Sequence, residues 1–310
     1  MQLGRSLQGA DVTGGNMHGP IVTGMRVESL ELTALVDLLG RGDALVVSGA
    51  GISTGSGIPD YRGPDGEQRE DRPMTIDRFL SSSEEQRAYW ARSHVGWERF
   101  RHARPNVAHL AVTDLQRAGL LAGVVTQNVD GLHPAAGTDD VIEIHGRLAE
   151  VVCLDCADVT PRDRLAERLE ERNPGYREEV SADETAVRPD GDILLHAHDV
   201  ARFAFAGCER CGGTLKPHVV MFGEHLPRER YQRALALLDV ARSLVVLGSS
   251  LAVGSGFRFV LDAARRGLPI AIATRGRTRG DDLATLKVDG DLCEVLPATL
   301  AALTVTTSAP

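Results

Sequence analysis

The chain has 310 residues, 43% of them hydrophobic, and its 34 Lys and Arg against 43 Asp and Glu give a formal net charge of −9. That length holds one large domain with a satellite, or two of ordinary size, and the apolar fraction suffices for a real core. An acidic balance with no long basic run makes nucleic acid a poor partner and a basic peptide a better one, and five cysteines with four in CxxC pairs suit metal ligation in a reducing compartment rather than a secreted disulfide framework.

Residues 1–26 are rich in Gly, Ser and Thr and lack the apolar run of a signal peptide, which predicts a disordered extension on a cytoplasmic protein. Leu30, Leu32, Leu35, Val36, Leu38 and Leu39 recur at roughly helical spacing, and Gly40 supplies the stop. Ala44 to Val47 is then a short unbroken apolar run, the pattern of a strand buried on both faces of a parallel sheet, and it enters Ser48, Gly49, Ala50 and Gly51. Residues 64–105, with Tyr89, Trp90, Trp97 and Phe100, read as an inserted helical cover.

The strand pattern returns at Gly123 to Val125 before Thr126, Gln127, Asn128 and Asp130, and at Val141 to Ile144 before His145 and Gly146. It returns again at Leu244 to Leu247 before Gly248, Ser249 and Ser250, and at Ile270 to Ala273 before Thr274. Residues 151–215 carry the paired cysteines and include an acidic, Pro/Gly-punctuated run from Asn173 to Asp192. The predicted fold is α/β: a Rossmann-like parallel sheet with helices on both faces, formed by 27–150 and 216–310, with a small zinc-ribbon module at 151–215 and a helical insertion. No apolar stretch approaches the roughly 18 to 20 residues that span a bilayer, so no membrane partner is expected.

In open α/β sheets the ligand lies beyond the carboxyl ends of the strands, so these polar strand ends should converge on one crevice. Gly49, Ala50 and Gly51 permit a tight turn that brings backbone amides near a phosphate at a helix N-terminus. The third glycine of the dehydrogenase fingerprint is replaced by Thr54, and no acidic residue ends a second strand about 20 positions on, so an ordinary Rossmann dehydrogenase is disfavoured. Cys153, Cys156, Cys208 and Cys211 suit a closed four-thiolate structural zinc site, while Cys293 reads as a small core residue.

Gly49-Ala50-Gly51-Ile52-Ser53, Gly57-Ile58-Pro59-Asp60-Tyr61-Arg62, Thr126-Gln127-Asn128-Val129-Asp130 and Ile144-His145-Gly146 stand in an order that closely resembles the sirtuins, the NAD-dependent protein deacylases. The resemblance covers about residues 27–300. It implies that NAD is consumed as co-substrate, with nicotinamide released and the acyl group of an acyl-lysine protein or peptide passed to ADP-ribose. His145 would be the general base toward the ribose hydroxyls, a task suited to an imidazole titrating near working pH. Asn128 and Asp130 would serve a ribose hydroxyl and the nicotinamide carboxamide. The cofactor set would further include Gly49, Ala50, Gly51, Ser53, Gln127, Gly248, Ser249, Ser250 and Thr274, with Asp60 and Arg62 closing over it and Tyr61 screening the ribose from water.

The segment Val220, Met221, Phe222, Gly223, Glu224 matches the family's substrate strand, which pairs with peptide backbone between it and the loop carrying Val253. Met221 and Phe222 would line the lysine channel, against the plainer reading of a core strand. Tyr89 and Arg92, at i and i+3, share a helix face as in the dicarboxyl-removing sirtuins, and with the long insert between cysteine pairs they look most like the mitochondrial sirtuin 4 type. That likeness implies a preference for acidic or longer acyl groups, whereas the bland reading leaves Arg92 solvated or paired with Glu98. Thr274 stands where the family usually has Asn, which implies weaker NAD binding. A mono-ADP-ribosyltransferase on the same NAD site and a non-catalytic NAD-sensing module are the competing readings.

Overall fold

A computed structural model describes residues 29–61, 73–180 and 190–307, so the expected extension over 1–26 and the cofactor candidate Arg62 lie outside the described residues. The chain opens with α1 (Ser29–Gly40) and β1 (Ala44–Ser48), whose residues are all buried. Two short 3-10 turns, Ala50–Ile52 and Thr54–Ser56, follow where an α-helix was expected. Then come α2 (Ile76–Ser81), α3 (Ser83–His102), α4 (Val107–Arg117), β2 (Leu121–Thr126), α5 (Leu132–Ala135) and β3 (Ile142–Glu143). The small module supplies β4 (Gly146–Cys153), β5 (Val159–Pro161), α6 (Arg162–Arg172), α7 (Tyr176–Glu179), α8 (Ala197–Arg202) and β6 (Leu215–Val219). The chain then completes the large sheet with α9 (Arg228–Val240), β7 (Ser243–Leu247), α10 (Gly254–Arg265), β8 (Ile270–Ala273), β9 (Leu286–Val288) and α11 (Leu292–Thr307).

Six strands form one parallel sheet in the order β3-β2-β1-β7-β8-β9. Because side chains alternate across a strand, β1 sends Ala44 and Val46 into a core with residues of α1, α4 and α11, and Leu45 and Val47 into a core with residues of α9 and α10. Burial on both faces is why these strands read as unbroken apolar runs, and it bears out the Rossmann-like architecture. The edge strand β9 has no such run, since Leu286–Val288 carries Lys287 at its centre, and the sequence reading passed over it. Cys293, half-buried, packs against the first of these cores as expected.

The second sheet is antiparallel, in the order β5-β4-β6. It extends past the expected 151–215 on both sides, starting at Gly146 immediately after His145 and running to Val219. The His145 carbonyl accepts from Val220 N at 2.7 Å, so the module grows directly out of the large sheet's strand ends. Gly146 is required there: its φ is +86°, and a Cβ on it would come within 2.2 Å of the His218 carbonyl.

The helical cover is α2 and α3. Ser82 caps α3 by accepting from Glu85 N at 3.2 Å, with Glu84 and Glu85 in the first turn and Arg99, Arg101 and His102 in the last, both favourable to the helix dipole. Its inner face buries Trp90 and Trp97, and the guanidinium carbon of the buried Arg162 stands 5.3 Å from each ring, tying α6 to α3.

Candidate functional site

The strand ends of β1, β2, β3 and β7 and the substrate segment enclose one cavity of about 1030 Å³. Its walls include Gly49, Ala50, Gly51 and Ser53 after β1, Gln127, Asn128 and Asp130 after β2, and His145 after β3. Gly248, Ser249 and Ser250 follow from β7, and Thr274 from the end of β8. Asp60 and Tyr61 also line it, as do Tyr89, Val220, Met221, Phe222, Gly223, Glu224 and Val253. The crevice expected from the strand pattern is thus present, and of the candidate residues within the described segments other than the cysteines, Arg92 is the one that does not line it.

The glycines hold two strand ends against each other. A Cβ on Gly51 would stand 2.8 Å from the Gly248 carbonyl, and one on Gly49 would stand 2.7 Å from the Ser249 Cβ. The amides of Gly49 and Gly51 are spent on the Leu247 and Gly248 carbonyls, at 2.9 and 2.8 Å. The first turn packs as a close floor at the strand ends, and the helix ends that open into the cavity include Gly254–Ser255 of α10 and Leu292 of α11.

Asn128 and Asp130 are locked together through a residue between them. Asn128 Nδ2 donates to Ser53 Oγ at 3.0 Å and to the Gly49 carbonyl at 3.2 Å. Ser53 Oγ in turn donates to Asp130 Oδ2 at 2.7 Å, and Asp130 Oδ1 accepts from Leu132 N at 2.9 Å. Burial pushes the Asp130 carboxyl above its ordinary value, opposed by those hydrogen bonds. Gln127 spans the same floor, its Nε2 donating to Ser249 Oγ at 2.9 Å, and Gly256 is small so that α10 can reach it.

His145 Nδ1 lies 2.7 Å from the Gln127 carbonyl oxygen and Nε2 lies 2.8 Å from Ser255 Oγ. Burial lowers the imidazole's pKa, against the opposing hydrogen bond to Gln127 and with Arg230 adding to the decrease. The contact between Ser255 and His145 spans 110 positions and leaves no local signal in the sequence.

Behind this floor, His133 Nε2 stands 2.9 Å from Ser48 Oγ, which donates to Thr126 Oγ1 at 2.8 Å. The His133 ring packs edge to face on His109 with centroids 5.0 Å apart. On the peptide side, Glu224 Oε2 accepts from Lys216 Nζ and Met221 N, both at 2.9 Å, which fixes the bend after β6. Phe222, 37% exposed, meets Tyr61 edge to face at 6.1 Å, so it is a cavity wall and not a core strand residue.

The four paired cysteines come together in the small module, with their sulfurs all within 4.8 Å of one another. Cys153 and Cys211 Sγ are 3.5 Å apart and Cys156 and Cys208 Sγ 3.8 Å, close to the spacing of about 3.8 Å that a tetrahedron of roughly 2.3 Å zinc–sulfur bonds requires. Four thiols at that spacing fit a structural zinc ion and leave no position for substrate. None of the four lines the cavity.

Residues 49–255 match the Sir2 family. The chain is 50% identical over 255 residues to NAD-dependent protein deacetylase 1 of Corynebacterium efficiens, covering 82% of this chain and 91% of that one. It is 51% identical over 258 residues to the protein of the same name from Streptomyces coelicolor, covering 83% and 85%. A solved structure of Sir2 with a p53 peptide and NAD+ superposes with a TM-score of 0.70 at 31% identity, covering 88% of this chain and 99% of that one.

Proposed function

The chain belongs to the Sir2 family, and on that premise we propose that it is an NAD-dependent protein deacetylase acting on acetyl-lysine proteins or peptides. The observation that carries the reading is the pairing of a basic His145 Nε2 with the Asn128–Ser53–Asp130 chain on one cavity floor. The fit to NAD rests on the cavity itself: about 1030 Å³ is room for a dinucleotide together with a lysine side chain, and its floor offers an amide, a carboxylate and hydroxyls.

NAD supplies the electrophilic ribose carbon and the nicotinamide leaving group. This chain's residues do the rest. Asn128 and Asp130 orient the nicotinamide and its ribose, and Ser249 and Ser250 offer hydroxyls toward the rest of the dinucleotide. The carbonyl oxygen of the acyl-lysine would replace nicotinamide on the ribose carbon. His145 Nε2 takes the proton of a neighbouring ribose hydroxyl as that oxygen bonds to the acyl carbon, the lysine amine then leaves carrying a proton, and one water supplies the oxygen that frees acyl-ADP-ribose. Tyr61 and Phe222 cover the reacting end and exclude water. Peptide backbone is held as an added strand between Val220–Glu224 and the loop at Val253.

The finer expectation, acidic or longer acyl groups and a place near the sirtuin 4 type, rests on Tyr89, Arg92 and the long insert. Tyr89 lines the cavity and Arg92 does not, which favours longer neutral chains over acidic ones. Mass spectrometry of an acetyl-lysine peptide with NAD is the test. The expected products are lysine peptide, nicotinamide and acetyl-ADP-ribose, all lost in His145→Ala. Turnover that persists in that variant would remove His145 as the base, and ADP-ribosylated protein without deacylation would replace the reading with ADP-ribosyl transfer.

A further inference from the structure

The stretch between the two cysteine pairs returns to the cavity. Asp190 lines it, and the residues that follow press against α3. A Cβ built on Gly96 would come within 2.0 Å of the Gly191 carbonyl oxygen, so glycine at 96 is what admits this contact, and Gly191 itself turns at φ +72°. The turn delivers Asp192, 2% exposed, to Arg92, whose side chain is 15% exposed; Asp192 Oδ1 stands 3.1 Å from Arg92 Nε. Arg92 lies three positions along α3 from Tyr89, which does line the cavity, so the two share a helix face.

We propose that Asp192 is the specificity-determining residue for the acyl group: by holding Arg92 out of the cavity, it makes the enzyme take neutral acyl-lysines and refuse those that end in a carboxylate. The proposal rests on the deacylase reading above. A carboxylate that reached the Tyr89 end of the cavity would lose its water, meet the charge of Asp190, and find the nearby guanidinium already neutralised. A methyl or short alkyl end suffers none of these penalties. Burial, then the carboxylates of Asp190 and Asp192, push the Tyr89 hydroxyl's pKa upward, with the Arg162 guanidinium and a hydrogen bond to Ser93 opposing. The side-chain spacing that suggested a carboxylate receptor is therefore present, with its cation occupied by an acid from the inserted segment.

The experiment compares kcat/KM on acetyl, butyryl, succinyl and glutaryl peptides for wild type, Asp192→Asn, Arg92→Gln and the double variant. Peptide affinities by fluorescence anisotropy accompany it. Wild type should prefer acetyl over succinyl by about a hundredfold or more, and Asp192→Asn should raise succinyl turnover about tenfold while acetyl changes less than about threefold. Adding Arg92→Gln should abolish the gain. A folded Asp192→Asn with an unchanged succinyl-to-acetyl ratio overturns the proposal, as does a wild type that removes succinyl well and loses it selectively in Arg92→Gln. If Asp192→Asn fails to fold, Arg92→Gln alone decides, with an unchanged ratio supporting the proposal and a selective succinyl loss overturning it. Absence of turnover on every peptide refutes the deacylase reading instead, and the anisotropy arm then carries the selectivity test.

Discussion

The Nδ1 of His145 lies 2.7 Å from the carbonyl oxygen of Gln127, and since a carbonyl has no proton to give, Nδ1 carries the hydrogen and Nε2 the free lone pair. Ser255 Oγ, 2.8 Å away, donates to that lone pair. That is the tautomer the proposed general base requires, and it is set without substrate. His145→Ala should lower kcat by about 10²- to 10⁴-fold. Because the imidazole's pKa is lowered by burial, the base stays neutral and active as pH falls below the ordinary value of 6.5, and activity is lost only on passing the lower one. A pH–rate profile with circular dichroism at each point checks this; an acid limb at or above 6.5 in folded protein would contradict it.

Ser53→Ala removes the hydroxyl that joins Asn128 to Asp130. Two buried hydrogen bonds worth about 1 kcal/mol each are lost, and both side chains gain freedom on the cavity floor. The expected result is a fall of about tenfold in kcat/KM with NAD varied. A variant whose NAD dependence is unchanged would show that Asn128 and Asp130 act independently of the bridge.

The buried pair His109 and His133 predicts acid instability. Burial lowers His109 to about 4 and His133 to about 3, with His109 adding to the effect on His133, from an ordinary 6.5. Between those values the unfolded chain binds protons that the folded chain refuses, so the stabilisation is complete above 6.5 and is lost progressively as pH falls toward 4 and 3. Each histidine contributes up to about 1.4 kcal/mol per pH unit in that window. Urea unfolding across this range should show the decline, and a His109→Gln/His133→Gln double variant should flatten it.

Metal removal should act on the fold before it acts on chemistry. A strong chelator should lower Tm by about 10 °C or more, and stoichiometric zinc should restore it. Since no cysteine of the cluster lines the cavity, residual activity should track the folded fraction. Full stability in metal-free protein would remove zinc from the structure. Cys208→Ser should reproduce the chelator's effect without it.

Much of the sheet was legible because its strands are buried on both faces, and a run such as Leu244 to Leu247 has no other common explanation. The clustering of Gln127, Asn128, Asp130 and His145 followed from the rule that ligands lie beyond strand ends. The strand Leu286–Val288 escaped because three residues with a central lysine carry no burial pattern. After the glycine pair the chain takes two 3-10 turns in place of an α-helix, a difference the pair itself does not signal. Glu224, expected against substrate, has its carboxylate also engaged by Lys216, a contact eight positions long that spacing alone does not foretell.

The sequence by itself determined the class of the molecule: a parallel sheet with polar strand ends, a four-cysteine cluster, and motifs in an order that belongs to one family. These are local or repeated patterns, and local pattern is what burial and ligand geometry impose on a chain. Only the tertiary structure decided what each polar group meets. His145 finds Ser255 across 110 positions, and Arg92 finds Asp192 rather than solvent, Glu98 or a substrate carboxylate. Pairings at that separation depend on the path of the whole chain, and the same arginine in the same helix can serve or withhold its charge according to which loop arrives beside it.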